Sequence, residues 1–374
     1  MGGVQVAGVG ITPFGKHPGS LRDLMMTAGA AALKDAGRDT VDAIYVGTMN
    51  PEAFVGEGNV ASGVADGLGL AAVPALRVET ASSAGAAAVF AGYTAVASGY
   101  FQSVLVIGGE KMSHVPSPQV TGILGRVLDP CERAQGATMP ALAAIVTRAF
   151  MQAFSVTRRD LARVAVKNHS HGSLNPDAQF QRPITLEEVM HSRVIADPLR
   201  LFDCAPISDG AAAVVLTADP ASVRITGIAQ GTDHVALRDR DSLVSFRATR
   251  EAAARAFRMA NRTPSDVQVA EVHDAFTSFE LISVEDLGLF PPGRSCRALR
   301  SGAMTLGGRL PINPSGGLKA RGHPIGATGL AQVVEIVRQL RGQAGDRQVE
   351  AAVGLAHSIG GLATGNWVTI LERN

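Results

Sequence analysis

One serine and three histidines carry most of the chemistry this chain could perform: Ser82 in VETASSAG, His273 in EVHDAFT, His323 in GHPIGATG and His357 in AHSIGG. Ser82 follows the apolar run ALRVE and stands at the start of an alanine-rich helix. The unpaired N–H groups and positive end of such a helix favour an anion. A cysteine in that place would be strongly activated, whereas a serine hydroxyl stays a very weak acid until a base is placed beside it. The plainer reading is that Ser82 and Ser83 form an N-cap pair. His273 closes the strand-like VQVAEVH, at the carboxyl end where open α/β sheets place their sites, although a polar loop position beside an acid would also account for it. His323 is held between glycine and proline. His357 closes another strand-like run, and Gly360 and Gly361 follow it, letting the backbone approach a ligand.

Together these groups suit carbonyl chemistry on a thioester. One imidazole takes the proton of the nucleophile, a second joins backbone N–H groups in stabilising an oxyanion or enolate, and a third group moves the carbon-bound proton. Metal binding by the same histidines is the rival reading. No helical i,i+4 histidine pair and no suitably spaced carboxylate accompany them, so no metal is expected.

The elements that would position these residues come in two matched sets. Residues 28–47 read helix, polar turn, strand, and residues 251–273 repeat that order. Residues 84–110 read alanine-rich helix, glycine stop, apolar strand, and residues 326–357 do the same. Helices alternating with short apolar runs predict crossover units and a buried sheet. Two copies predict a pseudo-twofold arrangement. Between them, from about His114 to Asp203, lies sequence rich in Pro, His, Arg and Met, with helices expected at MPALAAIVTRAFMQAF and TRRDLARVAVKNHSHG. Such an insertion typically covers a site. Met139, Phe150, Met151 and Phe154 suggest an apolar lid, or simply the packed face of an amphipathic helix.

Composition narrows the function. With 374 residues, net charge +1 and 18% charged residues, nothing points to nucleic acid or another polyanion. The 46% hydrophobic content suggests surface buried against another subunit. No uninterrupted apolar stretch reaches membrane-spanning length, and no signal-peptide pattern opens the chain, so a cytoplasmic enzyme without a membrane partner is expected. Cys131, Cys204 and Cys296 lie far apart and fit neither a metal site nor a disulfide framework. Lys111 and Arg321 are candidates to meet a phosphate-bearing cofactor, or are surface residues. His169 and His171 are candidates to line a substrate channel, or are solvated loop residues.

The motifs VETASSAG, VLVIGGEKMS, KNHSHGSLNPDAQF, DPLRLFDCAPISDGAAAVVL, EVHDAFT, SGGLKARGHPIGATG and AHSIGG occur in this order across nearly the whole chain. Together they resemble the thiolase superfamily, nearest to its sterol-carrier-protein-type and archaeal-type members. SGGLKARGHPIGATG is the most specific of them. The resemblance implies an α/β thiolase fold of two duplicated βαβαβαββ halves in a five-layered α/β/α/β/α core with an inserted loop domain. Its expected boundaries are 1–120 with 205–244 for the N-terminal half, 121–204 for the insertion, and 245–374 for the C-terminal half. It also implies a homodimer or dimer of dimers, an acyl-CoA substrate with coenzyme A as co-substrate and no bound cofactor, and a small OB-fold zinc-ribbon partner protein.

By resemblance, His323 activates the nucleophile, and His273 takes an oxyanion-hole position that other thiolases fill with asparagine. His357 matches the neighbourhood of the second catalytic cysteine, and Gly360 and Gly361 supply N–H groups to a second oxyanion hole. Ser82 falls on the nucleophilic cysteine. The implied activity is acyl-CoA C-acyltransfer, cleaving a 3-oxoacyl-CoA with coenzyme A, in a form with serine for cysteine. The alternatives are a retro-aldolase acting on a β-hydroxyacyl-CoA and a non-catalytic subunit that binds CoA esters. Relatives that act as retro-aldolases would be expected to use groups such as tyrosine. Here the tyrosines are Tyr45, Tyr93 and Tyr100, all in the first half.

Overall fold

The computed structural model describes residues 3–374. Its main strands are β1 (Gln5–Ile11), β2 (Ala43–Gly47), β3 (Ala75–Val78), β4 (Ser103–Glu110), β5 (Gly210–Thr217), β6 (Val223–Thr232), β7 (Val269–Glu271), β8 (Val353–Gly360) and β9 (Gly365–Arg373). They are hydrogen-bonded in the order β3-β2-β4-β5-β1-β6-β9-β8-β7. The helices that matter for the site are α1 (Leu21–Asp35), α2 (Val60–Gly67), α3 (Ala84–Ala97), α4 (Ser117–Leu124), α5 (Met139–Phe154), α6 (Arg158–Gly172), α7 (Arg247–Ala260), α8 (Thr277–Asp286) and α9 (Ile325–Leu340).

The duplication is written in the pairing. In the first half β2 runs parallel to β4, β4 antiparallel to β5, and β5 antiparallel to β1. In the second half β7 runs parallel to β8, β8 antiparallel to β9, and β9 antiparallel to β6. The halves meet where Gln5 pairs with Arg224 and Val6 with Val223. β6 is therefore the counterpart of β1, and its hydrogen bonds run along β9 from Val223 to Thr232. The expected boundary of 205–244 for the N-terminal half includes this strand. By pairing, it opens the second half.

Strands buried on both faces read as unbroken apolar runs, and every residue of β4 and β5 is buried. Their alternation assigns the layers. Leu105, Ile107, Ala213 and Val215 face α1 and α2. Val104, Val106, Val214 and Leu216 face the other way, sharing a core with Ala88 and Val89 of α3 and Leu330, Val333 and Val337 of α9. Leu355, Val368 and Ile370 of the second half pack outward with α7 and α8. The order is thus α1/α2, first-half strands, α3/α9, second-half strands, α7/α8.

Helix starts follow local chemistry. Ser20 and Asp23 form a capping box on α1, as Thr157 and Asp160 do on α6. The inserted α5 and α6 belong to the first half in sequence but pack against the second half, in a core with Phe279, Ile282 and Leu299. No single helix among the described residues is long and apolar enough to cross a membrane.

The two central helices meet at glycine. A Cβ on Gly85, the second residue of α3, would lie 2.5 Å from the carbonyl oxygen of Gly326, the second residue of α9. A Cβ on Gly326 would lie 2.4 Å and 2.6 Å from the carbonyl oxygens of Gly109 and Gly47. The equivalent helices of the two halves therefore touch backbone to backbone close to their N-terminal ends.

Candidate active site

That contact decides which residues come together. Ser82 lies two residues before the start of α3, and His323 lies two residues before the start of α9. Both line one cavity of about 240 Å3, and His273, at the end of β7, lines it as well. The rings of His273 and His323 meet edge to face, with centroids 5.1 Å apart at 89°.

Ser82 is set by an unusual turn. Ala81, directly before it, has φ +53°, a left-handed conformation that non-glycine residues seldom adopt. Neither serine caps α3 through its side chain. Ser83 is fully buried and donates to the carbonyl of Thr80 at 2.7 Å, while the Ser82 hydroxyl donates to the carbonyl of Ile359 at 2.9 Å. The turn thus frees Ser82 from the helix end and aims it across to β8. Gly360 makes this approach feasible, since a Cβ there would lie 2.4 Å from Ser83 Oγ and 2.6 Å from the Thr80 carbonyl. Gly361, with φ +60°, lies on the cavity wall.

His323 is a base whose tautomer is fixed. The Thr328 hydroxyl donates to the carbonyl of Pro324 at 2.9 Å, so it can only accept from the imidazole, whose Nδ1 lies 2.7 Å away. Nδ1 carries the proton, and Nε2 keeps its lone pair. The backbone N–H of His323 donates to Ser208 Oγ at 2.9 Å, anchoring the turn. Burial, helped by the nearby Lys319 and Arg321 cations, lowers the His323 pKa to about 3. His273 is driven well below its usual value by burial and then by the neighbouring imidazoles. Its Nδ1 is buried without a partner. Both rings are neutral at pH 7.

His357 is the third imidazole, close enough to His273 to help lower its pKa. It is fully buried on β8, does not reach the cavity wall, and its Nε2 lies 3.0 Å from Thr249 Oγ1 of α7. Asn366 donates to the same hydroxyl at 2.8 Å. Ile359, two residues along the strand, occupies the wall instead. Three converging imidazoles were expected from the sequence; two line the cavity, and the third does not reach its wall.

Other expectations change as well. Arg321 is fully buried and pairs with Glu271 at 3.1 Å, and Lys111 pairs with the buried Asp209 at 3.2 Å. Neither is a surface residue, and neither lines the cavity. Lys319 is buried and donates to the carbonyls of Asp203 at 2.6 Å and Ala275 at 2.9 Å, which ties the His323 turn to the His273 loop. His169 stacks on Phe180 and meets Phe202 edge to face, and His171 Nδ1 lies 2.9 Å from the Asn313 carbonyl. Both belong to the packed face of α6, not to a channel or a solvated loop. Of the suggested lid residues, Met139 lines the cavity, while Phe150 is buried against Phe154.

Cys204 is a wall residue the sequence did not single out. Burial raises its thiol to about 11, so it is protonated at neutral pH and a poor nucleophile. Among the described residues no group of three or more His, Cys, Asp or Glu side chains is arranged to hold a metal ion.

Comparison with known proteins adds to this geometry. Residues 4–219 match the model described as "Thiolase, N-terminal domain", and residues 229–373 match "Thiolase C-terminal domain-like". The chain is 45% identical over 384 residues to an acetyl-CoA acetyltransferase of Methanothermobacter thermautotrophicus, covering 99% of each. It is 35% identical to sterol carrier protein 2 of Gallus gallus, over 96% of this chain and 69% of that one. Among solved structures, one titled "Ltp2-ChsH2(DUF35) aldolase" superposes with TM-score 0.85 at 29% identity, covering 100% of this chain and 98% of that one.

Proposed function

Because the chain belongs to the thiolase family through both of its halves, we propose that it is an acyl-CoA C-acyltransferase that cleaves a 3-oxoacyl-CoA with coenzyme A. The observation that carries this reading is the single cavity shared by Ser82, His273 and a His323 whose Nε2 is free and neutral. The Ser82 oxygen attacks the 3-oxo carbon as His323 Nε2 accepts the hydroxyl proton. The positive end of α3, with His273, favours the charge that develops on the substrate oxygen. The C2–C3 bond breaks, the proton held by His323 passes to C2, and acetyl-CoA departs. Coenzyme A, its thiol proton taken by His323, then attacks the acyl ester on Ser82, and the hydroxyl is restored.

A serine makes the first step slow and leaves a less activated ester than a thioester. The expected assay outcome follows. Wild type should turn over a 3-oxoacyl-CoA slowly in the presence of coenzyme A, Ser82→Cys at least tenfold faster, and Ser82→Ala not at all, followed by loss of the 3-oxoacyl thioester absorbance. Equal rates for wild type and Ser82→Ala would remove Ser82 from the reaction.

The serine and the aldolase-titled structural relative favour a second reading, carbon–carbon cleavage of a β-hydroxyacyl-CoA. Release of aldehyde or ketone from that substrate by the wild-type chain, with no 3-oxoacyl cleavage by any variant, selects it. Absence of turnover on both substrates selects the non-catalytic CoA-ester-binding subunit. The same solved structure names a DUF35 component, which supports a small partner protein here. We further take the assembly to be a homodimer or dimer of dimers acting in cytoplasmic degradation of acyl-CoAs, and co-expression with gel filtration tests the assembly.

A further inference from the structure

We infer that Asn168, on the inserted helix α6, is a positioning residue for carbon–carbon cleavage, holding His273 and His323 in register through Asp274; the inference rests on the acyltransfer reading above. Asn168 does not line the cavity, so it acts through other groups. It is fully buried, and its side chain is fully engaged. Nδ2 donates to Asp274 Oδ2 at 2.7 Å and to Glu280 Oε2 at 2.8 Å, while Oδ1 accepts from Lys167 Nζ. A side chain that offers two N–H donors to carboxyl oxygens and one acceptor to an ammonium is a carboxamide. An aspartate there would turn an acceptor-only group toward both carboxyls.

Asp274 joins the two imidazoles. It directly follows His273, and its Oδ1 accepts from the backbone N–H of Leu318 at 2.6 Å and its Oδ2 from that of Lys319 at 3.3 Å. These amides belong to the short helix Gly317–Ala320, just ahead of His323. Gly317 has φ +57°, and a Cβ there would lie 2.6 Å from an Asp274 carboxyl oxygen, so this approach requires glycine. The inserted segment grips the same stretch by its carbonyls. Lys167 Nζ donates to Ile312 at 2.8 Å, Asn175 Nδ2 to Ser315 at 2.9 Å, and the Gln179 N–H to Arg321 at 3.0 Å. A Cβ on Gly316 would lie 2.6 Å from the Cα of Gly172, the last residue of α6. The inserted helix is therefore the fixed backing of the turn that carries His323, and Asn168 ties the His273 loop to that backing. The edge-to-face meeting of the two rings depends on both segments keeping their places.

Steady-state kinetics of Asn168 variants in the Ser82→Cys chain test this. Asn168→Ala should lower kcat for 3-oxoacyl-CoA cleavage about 10²-fold, the cost of a displacement of about 1 Å at the reacting groups. KM should change by less than about threefold, because the cavity wall is untouched. Asn168→Ser keeps one donor, serves if the alanine chain does not fold, and should lose about tenfold in kcat. Asn168→Asp should lose at least as much as alanine. Adding Asp274→Asn to it rebuilds an N–H···O bond between the two positions and should return about tenfold of that loss. In NMR spectra the ring resonances of both His273 and His323 should move in Asn168→Ala, and that of the exposed His234 should not. A kcat within about threefold of the parent, a rise in KM alone, or a double variant no better than Asn168→Asp overturns the inference. If the Ser82→Cys parent cleaves nothing, the acyltransfer reading falls. The ring resonances then decide: movement of both upholds the positioning, and unmoved rings end it.

Discussion

At the scale of single residues, the hydroxyl of Thr328 does more than fill space. By donating to the Pro324 carbonyl it can only accept from His323 Nδ1, and so it decides which ring nitrogen faces substrate. Thr328→Val removes that acceptor while keeping the shape. The expected result is a fall of about 10²-fold in kcat/KM of the Ser82→Cys form, within the range for general-base catalysis, with most of the activity restored by Thr328→Ser. Nitrogen-15 NMR of the imidazole gives a direct readout: the Nδ1–H tautomer in the parent and a mixture of tautomers in Thr328→Val. An unchanged tautomer signal in the valine variant would break the link. His323 and His273 were legible in sequence because glycine, proline and strand-end context marked them. His357 carried similar marks, but its partners Thr249 and Asn366 are invisible from the local motif. Arg321 and Lys111 admitted a surface reading because their buried ion pairs depend on Glu271 and Asp209, far away in the chain. Cys204 lies within the motif DPLRLFDCAPISDGAAAVVL, but only the folded loop brings it to the wall.

At the scale of elements, the contact between α3 and α9 sets the distance across the cavity. Gly326 lies against the carbonyls of Gly109 and Gly47, both backbone atoms that cannot swing aside. Gly326→Ala is therefore an overpacking change despite its small size and despite the better helix propensity of alanine. It should lower stability by about 1–3 kcal/mol, read as a lower urea midpoint at unchanged slope. A midpoint equal to wild type would mean that the helices can separate at no cost. The helix–strand repeats were legible because their periodicity is strong. Their packing was not, since the need for glycine at Gly85 and Gly326 arises only once the helices cross. The boundary expected at 244 keeps β6 with β5, its neighbour in the chain, whereas its hydrogen bonds run mainly along β9.

At the scale of the whole molecule, the buried imidazoles make the fold sensitive to acid. His323, His357 and His171 are lowered to about 3, His169 to about 4, and His273 well below its usual value, in each case first by burial. Each stays neutral in the folded chain while the unfolded chain begins to protonate near pH 6.5. Their contribution is thus complete above about pH 6.5 and is lost as pH falls toward 3. Burial raises Glu110 and Glu271 to about 7, Asp286 to about 6 and Glu280 above its usual value, and these four carboxylates act in the opposite sense, losing stability as pH rises from about 4 toward those values. Five imidazoles stand against four carboxylates, so the urea midpoint should fall from pH 6.5 to 4.5 by a modest net amount. The activity profile should show no separate limb near pH 6.5 from His323. A flat midpoint over that range would contradict the buried neutral rings.

Ser82 and His323 each stand two residues ahead of matching helices, α3 and α9, in halves whose strands pair in the same order. They hold the same address in the two structurally repeated halves. The pseudo-twofold thus presents two unlike side chains across its axis, an attacker on one side and a proton acceptor on the other, so swapping the two residues between addresses is a rational starting point for rebuilding the pair.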